Sequence, residues 1–133
     1  MGIDPRQMSP AARLEHLLEL GDGNCAWCGF DLSKPNARPT RDHIVPKVKG
    51  GPTRLENEVA SCGSCNGKRG NDSPSQYIES SRRDRGLDPN AELVADQLDR
   101  LNDAIARDGG MRKIRDYVTR EAKRVRELIE PAR

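Results

Sequence analysis

The chain has 133 residues, of which 34% are hydrophobic and 3% aromatic, enough for one small domain with a limited apolar core. Charged residues make up 33% and the formal net charge is +2. No apolar run approaches the roughly 18 residues that a membrane span needs, and no secretory segment opens the sequence. We therefore expect a cytoplasmic protein without a membrane partner, from a bacterium or a phage.

A short amphipathic helix is predicted near the start of the chain. Ser9 followed by Pro10 is the usual order of an N-cap and a first helical residue. A leucine stripe at helical spacing follows and continues as far as Gly21. We assign residues 1–23 to this N-terminal helical segment.

Four cysteines occur as two Cys-x-x-Cys pairs, namely Cys25 with Cys28 and Cys62 with Cys65. In a cytosolic chain this spacing favours metal binding over disulfides. Four thiolates complete a tetrahedral shell and leave no position for water, so we expect a structural zinc ion. Bound zinc would stabilise a small core that is poor in aromatic residues.

Between and after these pairs the sequence predicts strand, loop, strand and helix. Thr40 to Val45 is rich in β-branched residues, and Pro46 ends it. Val59 to Ser61 is the second predicted strand, and a short helix capped by Ser64 is expected to run to about Gly70.

Asp42, His43 and Asn66 form a candidate catalytic group. Asp42 offers a hard carboxylate oxygen and Asn66 an amide oxygen, which together suit magnesium or manganese with positions left for phosphate and water. Strand alternation directs His43 to the opposite face from Asp42, where an imidazole with a pKa near ~6.5 suits a general base. The alternative for Asn66 is that it caps the helix.

A resemblance to a known family rests on an ordered motif set: Asp42-His43-Ile44-Val45-Pro46, Gly50-Gly51, Leu55-Glu56-Asn57 and the run from Cys62 to Asn71. Over about residues 24–73 the chain resembles the HNH endonucleases, in the zinc-containing branch with a ββα-metal core. The resemblance implies that His43 is the general base and Asp42 a metal ligand. It also implies that Asn57 braces the loop and orients His43. Asn66 stands at the family's last histidine position, which makes this the His-Asn-Asn form.

Five basic residues lie around this predicted site, and we expect them to contact nucleic acid: Lys47, Lys49, Arg54, Lys68 and Arg69. Their partners would be backbone phosphates of DNA, since no group of residues suited to reading bases is evident. Arg69 occupies a position where family members often have lysine. Either Arg69 or its neighbour Lys68 could hold a phosphate.

Residues 74–133 are predicted to form a helical region. Asp88-Pro89 should open a long helix that ends at Gly109, and a third helix should follow from Met111, giving a hairpin with facing apolar seams. Residues 88–108 hold six acidic side chains against two basic, and residues 111–126 hold seven basic against two acidic. Mutual neutralisation explains this contrast, and a DNA-binding basic helix is the alternative. The same seam could also join two copies into a homodimer.

Together these patterns predict a small α+β fold. Residues 24–73 would form a ββα-metal core held together by a four-cysteine zinc site, between an N-terminal helix and a C-terminal helical hairpin. The expected function is metal-dependent endonucleolytic cleavage of DNA by nicking or double-strand cutting. The alternative is a non-catalytic zinc module that binds nucleic acid or protein.

Overall fold

Residues 7–129 are described by a computed structural model, and they fold into five helices and one two-stranded antiparallel sheet. The elements in chain order are α1 (Pro10–Leu20), β1 (Thr40–His43), β2 (Glu58–Ser61), α2 (Gly63–Arg69), α3 (Pro74–Arg85), α4 (Ala91–Asp108) and α5 (Arg112–Ile129). Two short 3₁₀ turns, Lys47–Lys49 and Leu55–Asn57, lie between the strands. The predicted α+β class is confirmed. Residues 1–6 and 130–133 of the predicted terminal segments lie outside the described part.

Helix α1 follows the predicted signals. The Ser9 hydroxyl accepts a hydrogen bond from the Ala12 amide, Pro10 is the first helical residue, and Gly21 ends the helix. Arg13 on this helix donates to Glu58 of β2 at 2.8 Å. Glu58 is fully buried and also accepts from Arg41 of β1 at 3.0 Å. A buried carboxylate between two guanidinium groups therefore ties α1 to the sheet.

The central sheet pairs β1 with β2 so that Asp42 lies opposite Val59 and His43 opposite Glu58. The first strand ends two residues before the predicted Val45. The Ile44 amide instead donates to the Asn57 carbonyl at 2.8 Å as the chain turns away. The order strand, loop, strand and helix is as predicted.

Helix α2 begins one residue before Ser64, the residue predicted to cap it. The N-cap is Cys62, whose sulfur accepts the Cys65 amide at 3.4 Å. The prediction of Ser64 as the cap was wrong, because Cys62 is the N-cap. The same Cys62 sulfur also lies close to the sulfurs of the other three cysteines. Helix α2 packs against β1.

Helix α3 was not predicted. Its N-terminus has a complete capping box between Ser73 and Gln76, with Pro74 as the first helical residue. Glu121 of α5 accepts the Ser75 amide at 2.9 Å and its hydroxyl at 3.0 Å, and so docks the start of α3 on α5. Residues Ser73 to Gln76 therefore carried a helix signal that the apolar pattern alone did not give.

Helices α4 and α5 form the predicted hairpin. Helix α4 begins at Ala91 after the Asn90 cap, later than the predicted Asp88-Pro89. The side-chain amide of Gln97 on α4 donates to the carbonyls of Leu55 and Glu58, which joins the hairpin to the sheet. The seams are closed within one chain: the buried stripe residues are Ala91, Val94, Leu98, Leu101 and Ile105 on α4 and Ile114, Val118, Ala122 and Val125 on α5. The homodimer through these seams is therefore not supported.

None of the helices within residues 7–129 combines the length and the apolar character needed to cross a membrane.

Candidate active site and zinc centre

The four cysteine sulfurs converge between the N-terminal knuckle and the start of α2. All four ligand atoms lie within 4.8 Å of one another. The sulfurs of Cys28 and Cys62 are 3.9 Å apart, close to the separation of about 3.8 Å that follows from a tetrahedral zinc with bonds of about 2.3 Å. A hydrogen bond with Cys65 lowers the pKa of Cys25, whereas burial raises the pKa of Cys28 and the hydrogen bond with Cys25 raises that of Cys65. The donor set fits a structural zinc ion.

Local backbone geometry brings the first cysteine pair to the second. The Gly29 amide donates to the Cys25 carbonyl at 2.9 Å, and Gly29 has φ +80°, which favours glycine. The Ala26 amide donates to the Ala60 carbonyl of β2 at 3.0 Å. The knuckle is thereby attached to the sheet, and α2 follows directly from β2.

Asp42 lies on the inner face of β1 and is only 8% exposed. The indole Nε1 of Trp27 donates to Asp42 Oδ2 at 2.8 Å, and Arg69 Nη1 donates to the same oxygen at 3.2 Å. Burial raises the pKa of Asp42, while the nearby Arg69 guanidinium acts in the opposite direction. Within residues 7–129, Asp42 Oδ1 accepts no hydrogen bond, so one carboxylate oxygen remains for another ligand.

Asn66 lies one turn before Arg69 on α2, and residues three apart share a helix face. Because Arg69 reaches Asp42, this face of α2 is turned toward Asp42. The side-chain amide of Asn66 makes no hydrogen bond to any of residues 7–129. Asn66 does not cap α2, because Cys62 does. Asn66 is half-buried, and its side-chain amide oxygen is available as a candidate cation ligand.

His43 projects from the opposite face of β1 and is partly exposed. A hydrogen bond of 2.8 Å joins its Nε2 to the Thr53 hydroxyl. Burial lowers the pKa of His43, which keeps the imidazole neutral near pH 7. Nδ1 has no hydrogen-bond partner among residues 7–129. The predicted alternation of Asp42 and His43 is present.

Asn57 is fully buried and holds both ends of the loop between the strands. Its Oδ1 accepts the Val45 amide at 2.8 Å, while its Nδ2 donates to the carbonyls of Val45 at 3.1 Å and Pro52 at 2.9 Å. Gly51 is required here, because an added Cβ would lie 1.8 Å from the Val45 carbonyl oxygen. This loop begins one residue after His43 and contains Thr53.

Residues 25–81 match the sequence model of the family described as HNH endonuclease. Over these residues, which are less than half of the chain, the sequence is similar to the HNH endonucleases. The matched segment contains the zinc cysteines, both strands and every site residue predicted above.

Two further comparisons complete this result. No curated protein matches the chain. Among solved structures, the chain is similar to the Type II-C Cas9 enzyme from Actinomyces naeslundii, with 21% identity and a TM-score of 0.49. The aligned region covers 99% of this chain and 12% of that one.

Two of the five basic residues predicted to contact nucleic acid, Arg69 and Arg54, are buried. Arg69 is 2% exposed. Its guanidinium donates to Asp42, to the carbonyls of His43 and Ile44, and to the Asp72 carbonyl at 3.0 Å. The expected phosphate contact of Arg69 does not agree with this placement, because its donors are committed to the protein interior.

Arg54 is 9% exposed and is similarly committed. It donates to Glu56 at 2.7 Å and contacts Asp108 at 3.3 Å, at the end of α4. The expected phosphate contact of Arg54 disagrees with this arrangement too. Lys47, Lys49 and Lys68 are exposed.

Two residues of the candidate site, Trp27 and Thr53, were not singled out from the sequence for the contacts they make. Trp27 is fully buried against Asp42, with its ring 5.5 Å from the Tyr77 ring and 4.7 Å from the Arg69 guanidinium. Thr53 bonds to His43. A Ser or Thr ten residues after the histidine has no local pattern that would reveal this contact, because the loop geometry creates it.

Proposed function

We propose that this protein is a divalent-cation-dependent DNA endonuclease. The observation that supports it most directly is the division of β1 between two roles. Asp42 faces the Asn66 side of α2, and the neighbouring His43 faces out with a free Nδ1. A phosphodiester needs both neutralisation of its charge and activation of water, and these two faces supply one each.

The cation ligands in this proposal are Asp42 Oδ1 and the Asn66 side-chain oxygen. A magnesium or manganese ion held there would neutralise charge on the phosphate and on the leaving oxygen. Arg69 and Trp27 hold the other carboxylate oxygen of Asp42 and fix the direction in which Oδ1 points. Arg69 is thus a positioning residue for the ligand.

His43 acts as the general base. For Nδ1 to accept a proton from water, the hydrogen must reside on Nε2, and Nε2–H then donates to the Thr53 hydroxyl. The Thr53 hydroxyl can accept this hydrogen bond, so the contact is compatible with the required tautomer and orients the ring. Asn57 supports the contact between His43 and Thr53, because its hydrogen bonds to Val45 and Pro52 fix the loop that carries Thr53.

DNA is held through backbone phosphates by the exposed Lys47, Lys49 and Lys68. Hydrolysis by attack of an activated water would leave a 5′ phosphate and a 3′ hydroxyl, as the family resemblance implies. The zinc ion in the four-cysteine site has no step in this chemistry. A zinc ion bound there would hold the knuckle against the start of α2, and would hence support the position of Asn66.

Nicking of supercoiled plasmid in the presence of magnesium or manganese tests the proposal. We expect His43→Ala to lower the rate by at least 100-fold, the lower range for a lost general base at about 10²–10⁴. His16→Ala is the matched control, since His16 is the other histidine of the chain and is exposed on α1. Equal nicking by wild type and His43→Ala would refute it. A protein that binds DNA but cuts under no divalent metal would instead support the non-catalytic zinc module.

A further inference from the structure

Helix α5 carries most of its positive charge without compensation from α4. Of its basic residues, Arg126 pairs with Asp96 at 3.2 Å and with Asp99. Arg124 pairs with Glu121 of its own helix at 3.4 Å. The rest are exposed and form no ion pair within residues 7–129: Arg112, Lys113, Arg115, Arg120 and Lys123. Mutual neutralisation of the two helices, the explanation favoured by the sequence, thus accounts for a small part of this charge.

Part of this charge lies in a stripe along one side of α5, formed by Lys113, Tyr117, Arg120 and Arg124. Their spacings of four, three and four place them on one face of a helix. Arg112 and Lys123 share a different face, about 100° around the helix from the stripe, on the exposed side between the stripe and Arg126. The two sets have the same chemistry and differ in the direction in which they face.

The stripe borders the loop that follows His43. Lys49 Nζ lies 6.0 Å from the centre of the Tyr117 ring. An added Cβ at Gly50 would lie 3.2 Å from Ile114 Cγ2, so the backbone of this loop packs directly against α5. Burial raises the pKa of Tyr117 to about 12, while the charges of Arg69 and Arg120 act in the opposite direction. Tyr117, a member of the stripe, is therefore close enough to Arg69 for the charge of Arg69 to act on its hydroxyl.

We propose that Lys49 and the α5 stripe form one continuous surface for the phosphate backbone of duplex DNA, leading away from the catalytic residues. This rests on the proposed function, since it extends the same site. From Lys113 to Arg124 the helix rises about 16 Å at about 1.5 Å per residue. That length corresponds to about five base-pair steps of about 3.4 Å. Arginine and lysine on an open helix face match phosphates in charge and provide no pocket for a base, so the contact is independent of sequence.

The test is the salt dependence of DNA binding in the full chain with its zinc retained. His43→Ala serves as the background so that the DNA is not cut, and the probe is a fluorescently labelled 30-base-pair duplex titrated at several KCl concentrations. Lys113→Gln with Arg120→Gln is compared with Arg112→Gln and Lys123→Gln, which remove the same charge from the other face. Thermal melting of each variant confirms that it is folded.

Two lost phosphate contacts should lower the slope of log affinity against log salt by about 2, at about 0.9 per phosphate. The same relation gives a loss of affinity of about 30-fold at 0.15 M salt. The Arg112 and Lys123 pair should retain the wild-type slope. Equal loss from both pairs, or no loss from either, would overturn the proposal.

Failure of this surface and failure of the nuclease proposal are distinguishable. Plasmid cleavage by the His43-containing chain, together with a slope unchanged by Lys113→Gln and Arg120→Gln, overturns the surface alone. Binding that depends on the stripe, without cleavage under magnesium or manganese, overturns the nuclease alone. Stripe-dependent binding of duplex RNA with none of duplex DNA overturns DNA as the occupant.

Discussion

Asn57→Ala should both destabilise the protein and impair catalysis, because one buried amide holds the loop beside His43. The substitution removes three hydrogen bonds, to the Val45 amide and to the carbonyls of Val45 and Pro52. At a net value of about 1 kcal/mol each, their loss costs about 3 kcal/mol. The Val45 amide also loses its partner, and an unsatisfied buried donor brings the expected decrease in the free energy of unfolding to roughly 3 to 5 kcal/mol.

Urea denaturation of zinc-loaded protein measures this change directly. For a chain of this size the same free energy lowers the melting temperature by roughly 10 to 20 °C. Below that temperature, plasmid nicking should fall in the folded variant because Thr53 no longer holds His43 in place. The matched control is Asn36→Ala, which removes an exposed amide that has no hydrogen bond within residues 7–129.

A decrease of less than 1 kcal/mol for Asn57→Ala, or one equal to that of Asn36→Ala, would refute the bracing role. Full activity in a clearly destabilised Asn57→Ala would refute a narrower point. It would show that the loop supports folding without orienting His43.

Three further outcomes are expected. Thr53→Val should lower kcat about tenfold with KM unchanged, since one hydrogen bond of about 1 to 1.5 kcal/mol orients His43, while Thr53→Ser retains activity; equal rates for wild type and Thr53→Val would exclude this orienting role. Gly51→Ala should lower the free energy of unfolding by roughly 1 to 3 kcal/mol through overlap with the Val45 carbonyl, whereas Gly67→Ala, which meets nothing within 4 Å, should raise it by up to about 1 kcal/mol; urea denaturation compares them. Removal of zinc by a chelator should unfold the core, seen as lost ellipticity that zinc restores and magnesium does not; a chelated protein that stays folded would contradict this.

Features set by short-range spacing were predictable from the sequence. The two cysteine pairs, the order strand, loop, strand and helix, and the opposite faces of Asp42 and His43 follow from intervals of a few residues. Helix α3 was missed because its segment has few apolar residues beyond Tyr77 and Ile78, so no stripe marks it. Its local evidence lies at its ends, in the capping box at Ser73, in Pro74 and in Gly86. Apolar periodicity does not detect such end signals.

Charge placement could not be predicted from spacing, because it depends on which partners the fold brings together. Helix α4 ends beside Arg54, and the turn after His43 leaves two carbonyls that point at Arg69. Arginine is almost never fully buried without such partners, so a sequence pattern assigns it to the surface. Lys47, Lys49 and Lys68 are exposed and have no such partners among residues 7–129.

Near the site, the arginines Arg54 and Arg69 are buried and the lysines are exposed, and this difference affects the electrostatics around Asp42. Asp42 is buried where an anion is costly, and Arg69 offsets that cost through one oxygen before any cation binds at the other. Arg69 thus preserves the ionised carboxylate that a hard cation requires, although its own positive charge opposes the cation. In the proposed function, the phosphate contacts are made by side chains outside this buried pair, on the loop after His43 and on α5. Arg69 is fixed in the interior, whereas the basic residues on the loop and on α5 are solvated. DNA bound by these outer residues would therefore leave the geometry of Asp42 undisturbed.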